Sequence, residues 1–358
     1  MTLPAMATAA PTVISLGDGR TIRLGELIGR GQAATVYRGS LTLPYKIRRA
    51  VAVKLFDPAG SDEAAHYIEA VSRTVRKTGC VHHPNVVAPI EFTVADQRPV
   101  IISELVDGAS LEQLHQAFVR RDRKVPTDLA LFLALEIAEG LVAAREARTP
   151  DGSTLNMRHH DLSPREVRVS WAGEVRITDF GVTAALRAGS GVRSLQHLAA
   201  RCATMAPEVL AGERGDARSD VFSLGIILRQ LLVGPRFPQD MTDSEKIDQA
   251  REGAIPIGLM EPPVREPMAE ILHRALEVEP AHRYAEPSRI AFDLRRACLS
   301  LGVGDGRVFL RSAMRDLLAR EVPSQPTQPE PARRTKADSG EVATTDGAAD
   351  GADAREAG

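Results

Sequence analysis

Apolar positions along this chain change their period once. From about Thr21 to Val106 they come in short runs, which predicts strands and turns; in Ala50 to Phe56 the alternation puts Ala52 and Lys54 on one face. One segment departs from that pattern. Between Asp62 and Lys77, Ile68, Val71 and Val75 recur at helical spacing and predict a single helix. After Asp107-Gly108 the period lengthens. Pro126-Thr127-Asp128 mark a helix start before the run Leu129, Leu131, Phe132, Leu133, Leu135, Ile137. Inside this helical half, Val167 and Val169, then Val175 and Ile177, flank Ala172-Gly173 and predict a short hairpin. The pattern implies an α+β chain: a flexible leader over 1–20, a small sheet-rich lobe over 21–107 and a larger helical lobe over 108–321.

From Val322 the sequence turns to Pro, Ala, Thr, Asp and Gly with almost no large apolar side chain. Such a segment buries too little surface to offset its ordering entropy, so 322–358 is expected to be a disordered tail. The 358 residues leave ample length for a core, and 45 Lys plus Arg against 47 Asp plus Glu give no sign of a surface dominated by nucleic-acid or lipid binding. Three scattered cysteines, Cys80, Cys202 and Cys298, suit a reducing compartment and no disulfide framework. The first basic residue is Arg20, so no signal peptide is expected, and Glu136, Glu139 and Arg229 interrupt the most apolar stretches. A cytoplasmic protein without a membrane span and without a nucleic-acid partner is the expectation.

Three runs carry chemistry. Val51-Ala52-Val53-Lys54 places an ammonium two residues from a small side chain, against which a flat base could stack. His159-His160-Asp161 and Asp179-Phe180-Gly181 follow, each with one carboxylate. Ahead of them Gly29-Arg30-Gly31-Gln32-Ala33-Ala34-Thr35-Val36 fits G-x-G-x-x-G-x-V with alanine at the third glycine, a weak signal alone because glycine turns between strands are common. A cation for nucleotide phosphates, a carboxylate for an attacking hydroxyl and another for a metal are what phosphoryl transfer requires.

In order and spacing these runs resemble the eukaryotic-type Ser/Thr protein kinases, especially bacterial members with serine in the catalytic loop. The resemblance spans roughly Thr21 to Leu299. Met205-Ala206-Pro207-Glu208 resembles the close of an activation loop, Asp220-Val221-Phe222-Ser223-Leu224-Gly225 the helix that anchors the catalytic loop, and Arg283 the partner of Glu208. It implies a bilobal protein-kinase fold and use of ATP and Mg2+. It also implies that Ile28, Gly29, Gly31, Val36, Ala52 and Lys54 enclose the nucleotide, with backbone groups of Glu104 and Val106 on the adenine edge. Glu69 is the candidate to orient Lys54, Asp161 the catalytic carboxylate, and Asp179 and Glu166 the metal ligands.

The loop departs from the family pattern at three positions. His160 replaces an arginine that grips a phosphorylated activation loop, and histidine is a poor permanent clamp because it is fully charged only below about 6.5. Ser163 replaces a lysine on the transferring phosphate; Arg201, four residues before Met205, is the candidate replacement cation. Glu166 replaces a metal-binding asparagine, keeping an oxygen but adding charge near Asp161 and Asp179. Two readings stay open: an attenuated Ser/Thr protein kinase acting on a protein substrate, and a pseudokinase that binds a regulatory protein partner through the same fold. A metabolite kinase ranks behind both. A homodimer is compatible with either.

Overall fold

The computed structural model describes residues 13–31, 34–57, 64–182, 195–238, 240–253 and 266–318. The small lobe is a six-stranded antiparallel sheet of β1 (Val13–Gly17), β2 (Arg20–Arg30), β3 (Ala34–Thr42), β4 (Arg48–Phe56), β5 (Pro89–Ala95) and β6 (Arg98–Glu104), in the order β1-β2-β3-β4-β6-β5. The sheet starts earlier than the sequence suggested. Val13 to Gly17 was expected to be leader, but Ile14 pairs with Ile22 and is buried, so it joins the lobe's core. The tail over 322–358 lies outside the described residues.

Strand alternation sorts the two faces. Val51 and Val53 pack with Ile22, Leu41, Val100 and Ile102 on one side, while Phe56 turns to the other, where Val71 and Val75 of helix α1 (Ala64–Thr78) cover it. Lys54 shares that second face, so the same alternation that builds the core aims the lysine at the cleft. Its register is fixed by Val36 on one neighbour and Ile101 on the other.

The larger lobe is helical: α2 (Leu111–Val119), α3 (Thr127–Glu146), α4 (Leu195–Cys202), α5 (Pro207–Leu210), α6 (Ala217–Val233), α7 (Asp243–Glu252), α8 (Met268–Ala275), α9 (Pro287–Ser300) and α10 (Gly306–Leu318). Helix α6 is its axis. Val221, Phe222, Leu224, Ile227 and Leu228 are each fully buried, as a helix apolar on every side requires. Asp216 caps it by accepting from the Arg218 N–H, while its own N–H donates to Ser219. Truncating Leu224 to alanine there would cost roughly 2–5 kcal/mol.

A second sheet, β7 (Gly108–Ser110), β8 (Val167–Ser170) and β9 (Val175–Ile177), lies against α3 and includes the expected hairpin. Gly140 makes that approach possible, since a Cβ there would meet Ile177 at 2.8 Å and the Asn85 carbonyl at 3.0 Å. Asn85, between α1 and β5, ties the small lobe to this sheet: its side-chain amide donates to the Val175 carbonyl at 2.8 Å and its backbone carbonyl accepts from the Ile177 N–H at 2.8 Å. The segments before β8 and after β9 carry the candidate catalytic residues.

Candidate active site

The segment that holds Asp161 is pinned from below by a buried carboxylate. Asp220 on α6 accepts the N–H of His159 at 2.8 Å and that of His160 at 2.9 Å, one on each oxygen. Burial pushes the Asp220 carboxyl up to about 6, and the two N–H donors pull against that, so at neutral pH it stays ionised. His160 takes a left-handed backbone, φ 66°, to aim its N–H at Asp220. His159 is fully buried and its pKa falls to about 4, chiefly through desolvation. It is therefore neutral. Its Nε2 lies 2.8 Å from the Thr178 carbonyl and its Nδ1 accepts from the Asp161 N–H at 3.3 Å, which fixes the Nε2–H tautomer.

The ring of His159 packs on Phe180, centroids 4.8 Å apart. Thr178, Asp179 and Gly181 thereby sit beside the Asp161 segment. Asp179 is left-handed at φ 63° and Gly181 at φ 66°, the latter facing Thr74 of α1, which a Cβ would meet at 3.3 Å. Asp179 reaches across the cleft to Lys54, Nζ to Oδ2 2.7 Å, with both side chains about three-quarters buried. Lys54 also lies 5.5 Å from the centre of the Phe56 ring.

Glu166 completes the acidic side. It accepts from the Ser163 hydroxyl, and its carbonyl receives the Thr178 N–H at 2.8 Å. Burial pushes its carboxyl up to about 7; Asp179 adds to the rise, while Ser163 and Lys54 oppose it. Two hard oxygen donors in one pocket, one of them half-protonated at neutral pH, make an electrostatic setting that a divalent cation would relieve, and magnesium commonly binds one or two carboxylates together with phosphate oxygens. Among the described residues no group of three or more His, Cys, Asp or Glu side chains could hold a metal. What fits a divalent cation here is the chemistry of the two carboxylates, Asp179 and Glu166, which would leave its remaining positions to phosphate and water.

On the opposite side Arg201 of α4 forms an ion pair with Asp161. Its pKa falls to about 10 through burial, so it remains charged. Just beyond, Glu208 and Arg283 form a two-pronged pair at 2.9 and 2.8 Å, with the arginine side chain wholly buried. Burial alone would raise Glu208, but hydrogen bonds from Arg283 and Ser219 outweigh it and hold the carboxyl below its ordinary range. This fixes the end of the segment that carries Arg201.

Residues 22–287 match the family model for protein tyrosine and serine/threonine kinases. The chain belongs to the protein kinase family. It is similar to the serine/threonine-protein kinase PknB of Mycobacterium leprae, 26% identical over 278 residues that cover 76% of this chain and 42% of that protein. It is also similar to probable serine/threonine-protein kinases of Streptomyces coelicolor (28% identical over 289 residues, 78% of this chain and 40% of that protein) and Clostridium perfringens (24% over 282 residues, 78% and 38%). The matches thus span about two fifths of these relatives' length.

Within this kinase frame most of the residues singled out in the sequence converge. Gly29 pairs with Val36 and Val36 with Lys54, so three neighbouring strands line up the predicted nucleotide wall. Ile28 is half-buried on β2, and the Gly31 N–H closes its turn on the Ala34 carbonyl at 2.8 Å; Gln32 and Ala33 lie outside the described residues. Ala52 pairs with Ser103 beside the hinge, where Glu104 ends β6 and Val106 is buried.

Glu69 is the exception. It lies half-exposed and pairs with Arg76 at 2.9 Å and Arg73 at 3.8 Å, not with Lys54. The helical period explains this: two residues before the fully buried Val71, Glu69 points nearly opposite to it. Thr74, not a carboxylate, faces Gly181 from α1, and the Val71 and Val75 spacing already contained that information. A contact that sequence reasoning missed is the Glu104 side chain, clamped between Arg49 at 3.1 Å and Arg176 at 2.5 Å; no local pattern brings those three positions together. A cavity of about 410 Å³ opens beside this clamp, lined by Arg49, Glu104, Asp107, Trp171 and Arg176 among others, and none of Lys54, Asp161 or Asp179 lines it.

Proposed function

We propose that this chain transfers the terminal phosphoryl group of ATP to a serine or threonine hydroxyl of a protein. The observation that carries the reading is the convergence on Asp161: its segment is anchored through His159 and His160 to Asp220, and its carboxylate meets Arg201. Asp161 accepts the hydroxyl proton as the oxygen attacks. Lys54 places positive charge on the nucleotide phosphates, and Asp179 with Glu166 would hold magnesium, which neutralises charge on the transferring group. Arg201 stands in for the lysine replaced by Ser163. In the present arrangement its guanidinium rests on Asp161, so proton acceptance requires it to swing toward the phosphate, and slow basal turnover is expected. The three free thiols accord with action in a reducing cytoplasm.

Two features favour the second reading, a pseudokinase that engages a partner protein: α1 turns Glu69 away from Lys54, and Glu166 sits half-protonated where a metal ligand is needed. Intact-mass spectrometry after incubation with Mg-ATP, beside Asp161→Asn, separates the two. Added phosphate in the parent and at least ~100-fold less in the variant supports the kinase. Equal mass in both supports the scaffold.

A further inference from the structure

The turn joining β3 to β4 and the first residues of β4 bury no side chain in the core of their lobe. Residues 44 to 50, Pro-Tyr-Lys-Ile-Arg-Arg-Ala, are all exposed, with Tyr45 97% and Ile47 57% exposed. They include Lys46, Arg48 and Arg49 and no acid. Arg49 is engaged by Glu104; among the described residues no ion pair engages Lys46 or Arg48.

The turn is well defined. The Leu43 N–H donates to the Ile47 carbonyl at 2.8 Å, Thr42 pairs with Arg48, and Pro44 stiffens the entry. Tyr45 and Lys46 are both left-handed, φ 60° and 61°, where asparagine or glycine would sit without strain. A hairpin that needs only to reverse direction gains nothing from an aromatic ring and a long cation in that conformation. Strain with no return inside the fold points to a contact outside it.

We propose that this tip seats the small lobe on an anionic lipid surface. Tyr45 and Ile47 supply an amphipathic ring and an aliphatic chain at the apex, suited to the headgroup layer, while Lys46 and Arg48 beside them meet lipid phosphates. The shape favours this partner over a protein or a nucleic acid. A convex tip offers an acidic peptide no groove, and it puts apolar atoms where a phosphate backbone would want only cations; a bilayer conforms to it. Among the described residues no helix is long and apolar enough to cross a membrane, and the contact proposed is made by the tip's side chains alone. It is independent of whether the chain transfers phosphate.

The test is co-sedimentation of the full chain with vesicles of phosphatidylcholine containing about one third phosphatidylglycerol, beside phosphatidylcholine alone. Binding to the first and not the second is expected, weakened by salt. The double variant Lys46→Glu, Arg48→Glu lowers the bound fraction ~10-fold or more, and Tyr45→Ala about 3-fold, with unchanged melting curves because these side chains are exposed. In Tyr45→Trp the added emission shifts to the blue on the anionic vesicles, over a constant Trp171 signal. Absence of binding to the anionic vesicles overturns the proposal, as does full binding by the charge-reversed variant. Binding to poly-glutamate or to a single-stranded oligonucleotide in place of vesicles overturns it as well.

Discussion

The two sides of the cleft are built to different standards. On the catalytic-loop side, His159, Asp220 and Arg283 are buried, Glu208 nearly so, and each is answered by a named partner. On the nucleotide side Lys54 has Asp179 but, among the described residues, no helix glutamate, and burial lifts the Glu166 carboxyl to about 7, so it is half-protonated at neutral pH. The first region is rigid before any ligand arrives. The second is finished only by what binds to it, because clustered carboxylates need a metal to stay charged.

The largest effect should come from the rigid side. Arg283→Met leaves the largely buried Glu208 charge without its cation, with only the Ser219 hydroxyl as partner, and should cost about 3–5 kcal/mol in urea denaturation. If it costs no more than an exposed substitution, the two sides are not different in kind.

Glu166 tests the other side through pH. Its folded pKa of about 7 exceeds the ordinary 4.5, so between those values the folded chain keeps a proton the unfolded chain releases. The stabilisation is complete below 4.5 and is lost as pH rises through 7. Melting temperature without nucleotide should therefore fall as pH rises across that window, by an amount equivalent to about 3 kcal/mol at most, and Glu166→Gln should flatten that fall. Magnesium should oppose it, since it favours the ionised carboxylate.

Arg201→Ala should lower phosphoryl transfer roughly 100-fold, with Arg201→Lys recovering part of it, as expected for a cation at the transferring group. Unchanged turnover in the alanine variant would make the Asp161 contact structural only. The smallest change is expected for Glu69→Ala. An exposed pair of this kind is worth about 0.5 kcal/mol or less, and ATP affinity should not move; a large loss of affinity would mean that α1 rotates to bring Glu69 inward.

Much of this was legible in the order of residues. The alternation of Val51, Ala52, Val53 and Lys54 fixed which side chains face the cleft, the hairpin at 167–177 follows the strand pattern, and the pairing of Glu208 with Arg283 is what the kinase resemblance implied. Local signals are strongest where one periodic element carries the whole message. They failed for Val13 to Gly17, whose strand exists because β2 lies beside it, and for Glu69, where the right helix carries the residue on the wrong face.

The sequence by itself determined the two lobes, the family and the identities of Lys54, Asp161 and Asp179, because periodicity and short motifs are properties of neighbours along the chain. Only the tertiary structure decided that Arg201 meets Asp161, that burial lifts the Glu166 carboxyl to about 7, and that Glu104 is held by arginines from two strands. Charge and burial depend on which distant segments share a volume, and no local spacing encodes that.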